Sequence, residues 1–147
     1  MNRTLISWVN NGWLRYHQTS KEEICNLLQI VDRDLEDAER DLSPDWRFGI
    51  AYNASLKLCT VLLYSEGFRP ERTLQHYRTI MALPVILGKE KEADARYVDT
   101  CRTKRNVAEY DRVGSITDAE ARELIQFILE FREDVVAWLK EKHPDLL

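Results

Sequence analysis

The stretch from Ser43 to Gly67 constrains the fold most, because it is apolar on nearly every side of a helix and must therefore be surrounded by other elements. Ser43, Pro44 and Asp45 supply a cap, a proline at the first helical position and an acid in the first turn, and Gly67 supplies the stop. Trp46, Ile50, Leu56 and Leu63 are predicted along one side, while Phe48, Ala51, Leu58, Cys59 and Leu62 cover much of the rest. Asn53 falls on the first stripe. An interior amide needs a hydrogen-bond partner, and the expected partner is the polar site on a later helix described below.

Enough helical segments surround this one to bury it. The first is predicted from Asn2 to Tyr16, weakened by Asn10, Asn11 and Gly12. Ser20 with Glu23 reads as a capping box, launching Ile24, Leu27, Leu28, Val31, Leu35 and Ala38 at helical spacing, with acids on the opposite face. After Arg69 and Pro70 a fourth segment carries Leu74, Tyr77, Ile80, Met81 and Leu83, with Pro84 expected to end or kink it. A fifth restarts at Lys89 to Glu92 and runs to Gly114. Thr117 with Glu120 forms a second capping box ahead of a long apolar helix that stops before Pro144. The expectation is an all-α, up-and-down bundle of four core helices plus one or two flanking helices, as a single domain over residues 1–147 with no strands.

Composition narrows the function classes. The chain is 44% hydrophobic and 31% charged, a mix that excludes a disordered or collagen-like protein. A formal charge of −4 argues against coating nucleic acid by bulk attraction. Charge is uneven, however: Asp32 to Asp45 is strongly acidic and Arg102 to Arg112 is basic, so any anion site should be local. No apolar run reaches a membrane span and no signal peptide is evident, which makes the cytoplasm the expected location and excludes a membrane partner. Cys25, Cys59 and Cys101 lack metal or redox spacing and read as reduced core fillers. His17, His76 and His143 have no partner at metal-binding helical spacing, so neither a metal site nor a cofactor is expected.

The fifth helix carries the chemistry. Val98, Cys101, Arg105, Ala108 and Arg112 share one stripe, and Arg105 interrupts its apolar run. A guanidinium there requires a partner carboxylate, a water-filled groove or a ligand anion. Arg105 and Arg102 can grip phosphate bidentately, and Lys104 adds a diffuse charge. Asn106, Tyr110 and Asn53 complete the candidate phosphate- or nucleotide-binding set, with Tyr52 and Tyr77 expected nearby. On an undistorted helix Arg105 and Tyr110 point about 140° apart, so sharing one target requires a loosened helix end or a second subunit across a two-fold axis. The catalytic candidates are Arg105, Tyr110 and His76, the last as acid or base if it reaches Arg105.

From Asp45 to about Lys140 the chain resembles the HEPN superfamily of small helical bundles. The resemblance rests on the central helix from Ala51-Tyr52-Asn53-Ala54-Ser55-Leu56 to Gly67, on the following helix with His76, and on Arg105-Asn106-Val107-Ala108-Glu109-Tyr110-Asp111. It implies a homodimer that binds RNA or a nucleotide, with a place in a toxin–antitoxin or defence system and a small nucleotidyltransferase as partner. It also implies metal-independent endoribonuclease activity, through an arginine followed at short spacing by a histidine. This chain has Tyr110 where that histidine would stand. A phenol is a poor base at neutral pH, so binding without efficient cleavage is the leading expectation. The alternatives are an endoribonuclease that uses His76 as base, and a non-catalytic protein–protein adaptor.

Overall fold

The computed structural model describes residues 1–147. Its elements are α1 (Arg3–Asn10), β1 (Leu14–Tyr16), α2 (Lys21–Ala38), α3 (Pro44–Ser65), β2 (Phe68–Pro70), α4 (Gln75–Leu87), α5 (Glu92–Tyr110) and α6 (Asp118–Lys142). Short 3-10 turns at Lys89–Lys91 and Pro144–Leu146 precede α5 and follow α6.

The molecule is an all-α bundle built around α3. Ser43 caps that helix by accepting from the Trp46 N–H, Pro44 occupies its first turn, and Gly67 (φ +95°) turns the chain away just beyond it. Phe48, Tyr52, Leu58, Leu62 and Leu63 are buried on different sides of α3, as a helix enclosed by α2, α4, α5 and α6 requires. A smaller apolar cluster of Leu5, Leu14, Leu63, Phe68 and Ala82 fastens the N-terminal segment to the bundle. No helix is long and apolar enough to cross a membrane.

The N-terminal segment departs from the expected single helix. The helix stops at Asn10, Gly12 adopts φ +79°, and Leu14–Tyr16 pairs antiparallel with Phe68–Pro70. The Asn10-Asn11-Gly12 run breaks the helix outright, and the short extended segment that follows buries Leu14 and leaves Arg15 and Tyr16 exposed. The expectation of no strands is thereby corrected to one two-stranded ribbon. Pro84 neither ends nor breaks α4: its missing N–H removes one bond of the ladder, and the helix continues to Gly88 (φ +117°).

Both expected capping sites exist, in different forms. Thr117 and Glu120 form a full capping box. Ser20 accepts from the Glu23 N–H, but the Glu23 carboxylate turns outward to Thr19 and His17. α5 ends at Tyr110, before Gly114, because the Asp45 carboxylate accepts from the N–H groups of Gly114 and Ile116 and pins the following loop to the start of α3. Cys59 and Cys101 fill the core, and burial pushes their thiols up to about 12 and about 11; Cys25 is exposed, contrary to expectation.

Candidate functional site

α4 and α5 both flank α3, and this arrangement gathers His76, Arg102 and Arg105 around Tyr52. Tyr52 is buried within α3, and its hydroxyl lies 3.4 Å from His76 Nδ1. The Arg105 guanidinium carbon stands 5.7 Å from the centre of the Tyr52 ring, and that of Arg102 stands 6.0 Å from Tyr77. Each arginine thus rests on an aromatic face, which holds its charge without neutralising it.

Both arginines have carboxylate neighbours on their own helix. Arg102 Nε donates to Asp99 Oδ1 at 2.8 Å, an i,i+3 pair. Arg105 Nε lies 3.1 Å from Glu109 Oε1, an i,i+4 pair, but the N–H is misaligned and stays without a hydrogen bond. Its Nη1 donates to Asn106 Oδ1 at 3.2 Å. Proximity to Glu109 lowers the cost of placing Arg105 here, yet leaves a buried donor free. The cluster is a shallow face, and the main cavities of the molecule lie elsewhere.

The charges that act on His76 are all positive. Burial lowers the His76 pKa from its ordinary value, and the positive charges of Arg105, Arg102 and Lys57 lower it further. Burial also raises the Tyr52 pKa, so its hydroxyl keeps its proton at any physiological pH. A phenol donates better than it accepts, and His76 is its one side-chain partner; we therefore assign the Tyr52 O–H as donor to His76 Nδ1. His76 then carries its proton on Nε2.

No protein-family model, curated protein or solved structure matches this chain. The chemistry of the site is therefore read from its own residues.

The structure separates several residues that the sequence had grouped. Asn53 does not face α5: its Nδ2 donates to Asp34 Oδ2 of α2 at 2.6 Å, because the register of α2 on α3 brings a buried carboxylate opposite it. Tyr110 does not share the Arg105 face within one chain. It is 75% exposed and lines a separate cavity of about 480 Å³ with Trp46 and Val113, as an undistorted helix dictates. Lys104 is committed to Glu120 at 2.7 Å, tying α5 to the capping box of α6 and holding Glu120 down to about 2. The stripe with Arg105 emerges from the core as it proceeds: Val98 and Cys101 are buried, Arg105 and Ala108 half-buried, Arg112 exposed. Asp99 and Glu109 were missed as partners, although their i,i+3 and i,i+4 spacing announces them. No three His, Cys, Asp or Glu side chains are grouped closely enough to hold a metal ion.

What the face can do is hold an anion against two guanidiniums, with His76 Nε2–H as a third donor. The depressed His76 pKa has a measurable consequence. Between about pH 6.5 and its folded-state value the unfolded chain binds a proton that the native chain does not, so stability falls as pH drops through that window. Urea unfolding at pH 7.5 and pH 5 is expected to show a smaller acid-side loss for His76→Gln than for the wild type.

Proposed function

We propose that this protein, as a dimer, binds single-stranded RNA or a nucleotide by its phosphates on the α4–α5 face, and does so without efficient cleavage. The observation that carries the reading is the convergence of Arg102 and Arg105 on the rings of Tyr77 and Tyr52 beside His76, with one Arg105 donor unused. Their carboxylate partners sit on the same helix and at the edge of the face, where an incoming phosphate can share the guanidinium forks. Asn106 orients Arg105, and Tyr77, partly exposed, offers a ring to an unstacked base. The dimeric part of the reading is supported by the apolar patch of Trp46, Tyr110 and Val113, whose rim includes Glu109, the neighbour of Arg105. A toxin–antitoxin or defence role, with a nucleotidyltransferase partner, remains part of the proposal on the strength of the resemblance to HEPN proteins.

The tautomer of His76 favours binding over cutting. With Nδ1 accepting from Tyr52, the outward Nε2 bears a hydrogen and donates to phosphate; it does not take a proton from a ribose hydroxyl. The endoribonuclease reading has one feature in its favour, namely that burial and the charges of both arginines lower the His76 pKa from its ordinary value and so favour the neutral imidazole.

Fluorescence anisotropy with labelled single-stranded RNA at low salt tests the proposal. Arg102→Ala and Arg105→Ala are each expected to weaken binding roughly tenfold, as loss of a charge-assisted hydrogen bond of about 1.5 kcal/mol implies. Affinity equal to the wild type in both variants overturns it. Metal-free RNA cleavage abolished by His76→Ala would replace it with the nuclease reading.

A further inference from the structure

A second cationic site lies beside the α4 N-terminus, where the two-stranded ribbon meets the loop after β2. A polar cavity of about 770 Å³ is lined there by Arg15, Arg69, Arg72, Glu71 and Gln75, among others. None of the three arginines, nor Glu71, forms an ion pair, although eleven other lysine and arginine side chains in the molecule do. Arg15 and Arg69 are register partners in the antiparallel ladder, so two like charges face each other directly, an arrangement that costs stability unless an anion lies between or beside them. Arg69 Nε is buried without a hydrogen-bond partner, and its guanidinium rests 5.8 Å from the Tyr64 ring centre. Glu23 senses Arg69 at longer range, but its Oε1 is already taken by Thr19 and His17. Arg78, by contrast, is spoken for by Trp13, on which it stacks at 4.0 Å.

The backbone adds two independent features. α4 begins without any side-chain cap, so the N–H groups of its first turn, starting at Gln75 in the cavity wall, have no intramolecular side-chain acceptor. Leu74, which leads into that turn, is exposed and held at φ +53°. For a leucine this left-handed conformation is strained, and no apolar burial compensates it.

We infer that this cavity is a binding site for a phosphate monoester, held by Arg15, Arg69 and Arg72 and by the open N-terminus of α4. The charge balance selects the class. Three guanidiniums against the single carboxylate of Glu71 leave an excess matching the roughly −1.5 to −2 charge of a monoester at neutral pH, whereas a diester brings only one charge. Arginine forks bind such a group bidentately, and helix N–H groups complete its acceptor shell. The site is independent of the α4–α5 face. Its monoester is either the end of an RNA strand or a small phosphorylated metabolite, and both share the chemistry.

Isothermal titration of the full chain with inorganic phosphate, and binding of one oligoribonucleotide bearing a 5′-phosphate or a 5′-hydroxyl, test this. Arg15→Gln and Arg72→Gln, both at exposed positions, are each expected to weaken phosphate binding about tenfold with the helical circular dichroism unchanged. Arg105→Ala is expected to leave it intact. A tighter complex with the 5′-phosphorylated strand supports the site with RNA as the source; phosphate binding with no preference between strands supports it with a metabolite as the source. No binding of phosphate by the wild type, or binding unaffected by both glutamine variants, overturns the inference. Arg102→Ala and Arg105→Ala variants that both retain full RNA affinity would sink the α4–α5 reading alone.

Discussion

Asn53→Leu is expected to destabilise the fold by about 3 kcal/mol, roughly a hundredfold in the folding equilibrium, although leucine matches asparagine in size and suits a bundle interior better. The reason is Asp34. Its carboxylate is only 5% exposed in the α2–α3 interface; Oδ2 accepts from Asn53, while Oδ1 accepts from the Nε and Nη2 of Arg33. The Arg33 side chain is 63% exposed, so solvent screens most of what it contributes. Asn53 is thus the one interior donor, and leucine leaves Oδ2 buried and unpaired. Replacing both residues by leucine removes the charge together with its partner, and the double variant is expected to recover most of the loss. Urea unfolding of the wild type, Asn53→Leu, Asp34→Leu and the double variant measures the coupling. Additive losses would show that the pair is not a unit.

That pair also marks where the sequence stopped being informative. The central helix was readable because Ser43, Pro44 and Gly67 bracket an all-round apolar run, and nothing but enclosure satisfies such a run. Asp34 was not readable as buried. It stands three residues after Val31 and four before Ala38, on the stripe itself, but an acid there looks like one more member of a strongly acidic face. Which helix supplies the partner of Asn53 depends on the register of α2 against α3, and register is a tertiary property. The ribbon escaped notice for a related reason: three-residue strands carry too little alternation to be distinguished from a frayed helix. At the site, the grouping of Arg105 with His76 and Tyr52 followed from helix faces and short connections. The carboxylates Asp99 and Glu109 needed only i,i+3 and i,i+4 counting, whereas the three arginines around the ribbon come from segments that meet only in the fold.

Tyr52 tests fold and site together, through two substitutions of very different severity. Tyr52→Ala is expected to cost about 3–5 kcal/mol, because a wholly buried aromatic ring leaves a cavity at the centre of a helix packed on all sides. Tyr52→Phe keeps the ring beneath Arg105 and removes only the hydroxyl, at about 1 kcal/mol. Urea unfolding separates the two. The milder variant is the more instructive for function, since it leaves the guanidinium in place and deletes the donor that fixes the tautomer of His76. Nitrogen chemical shifts of the wild-type imidazole are expected to show Nδ1 bare and Nε2 protonated, and the phenylalanine variant is expected to show both tautomers. RNA affinity should then fall by less than in Arg105→Ala, because the lost contribution is one neutral donor among charged ones. A wild-type His76 protonated on Nδ1 would reverse the logic: Nε2 would face the bound phosphodiester as a bare base, next to an arginine able to steady the developing charge, and the face would be built for cutting the strand it holds.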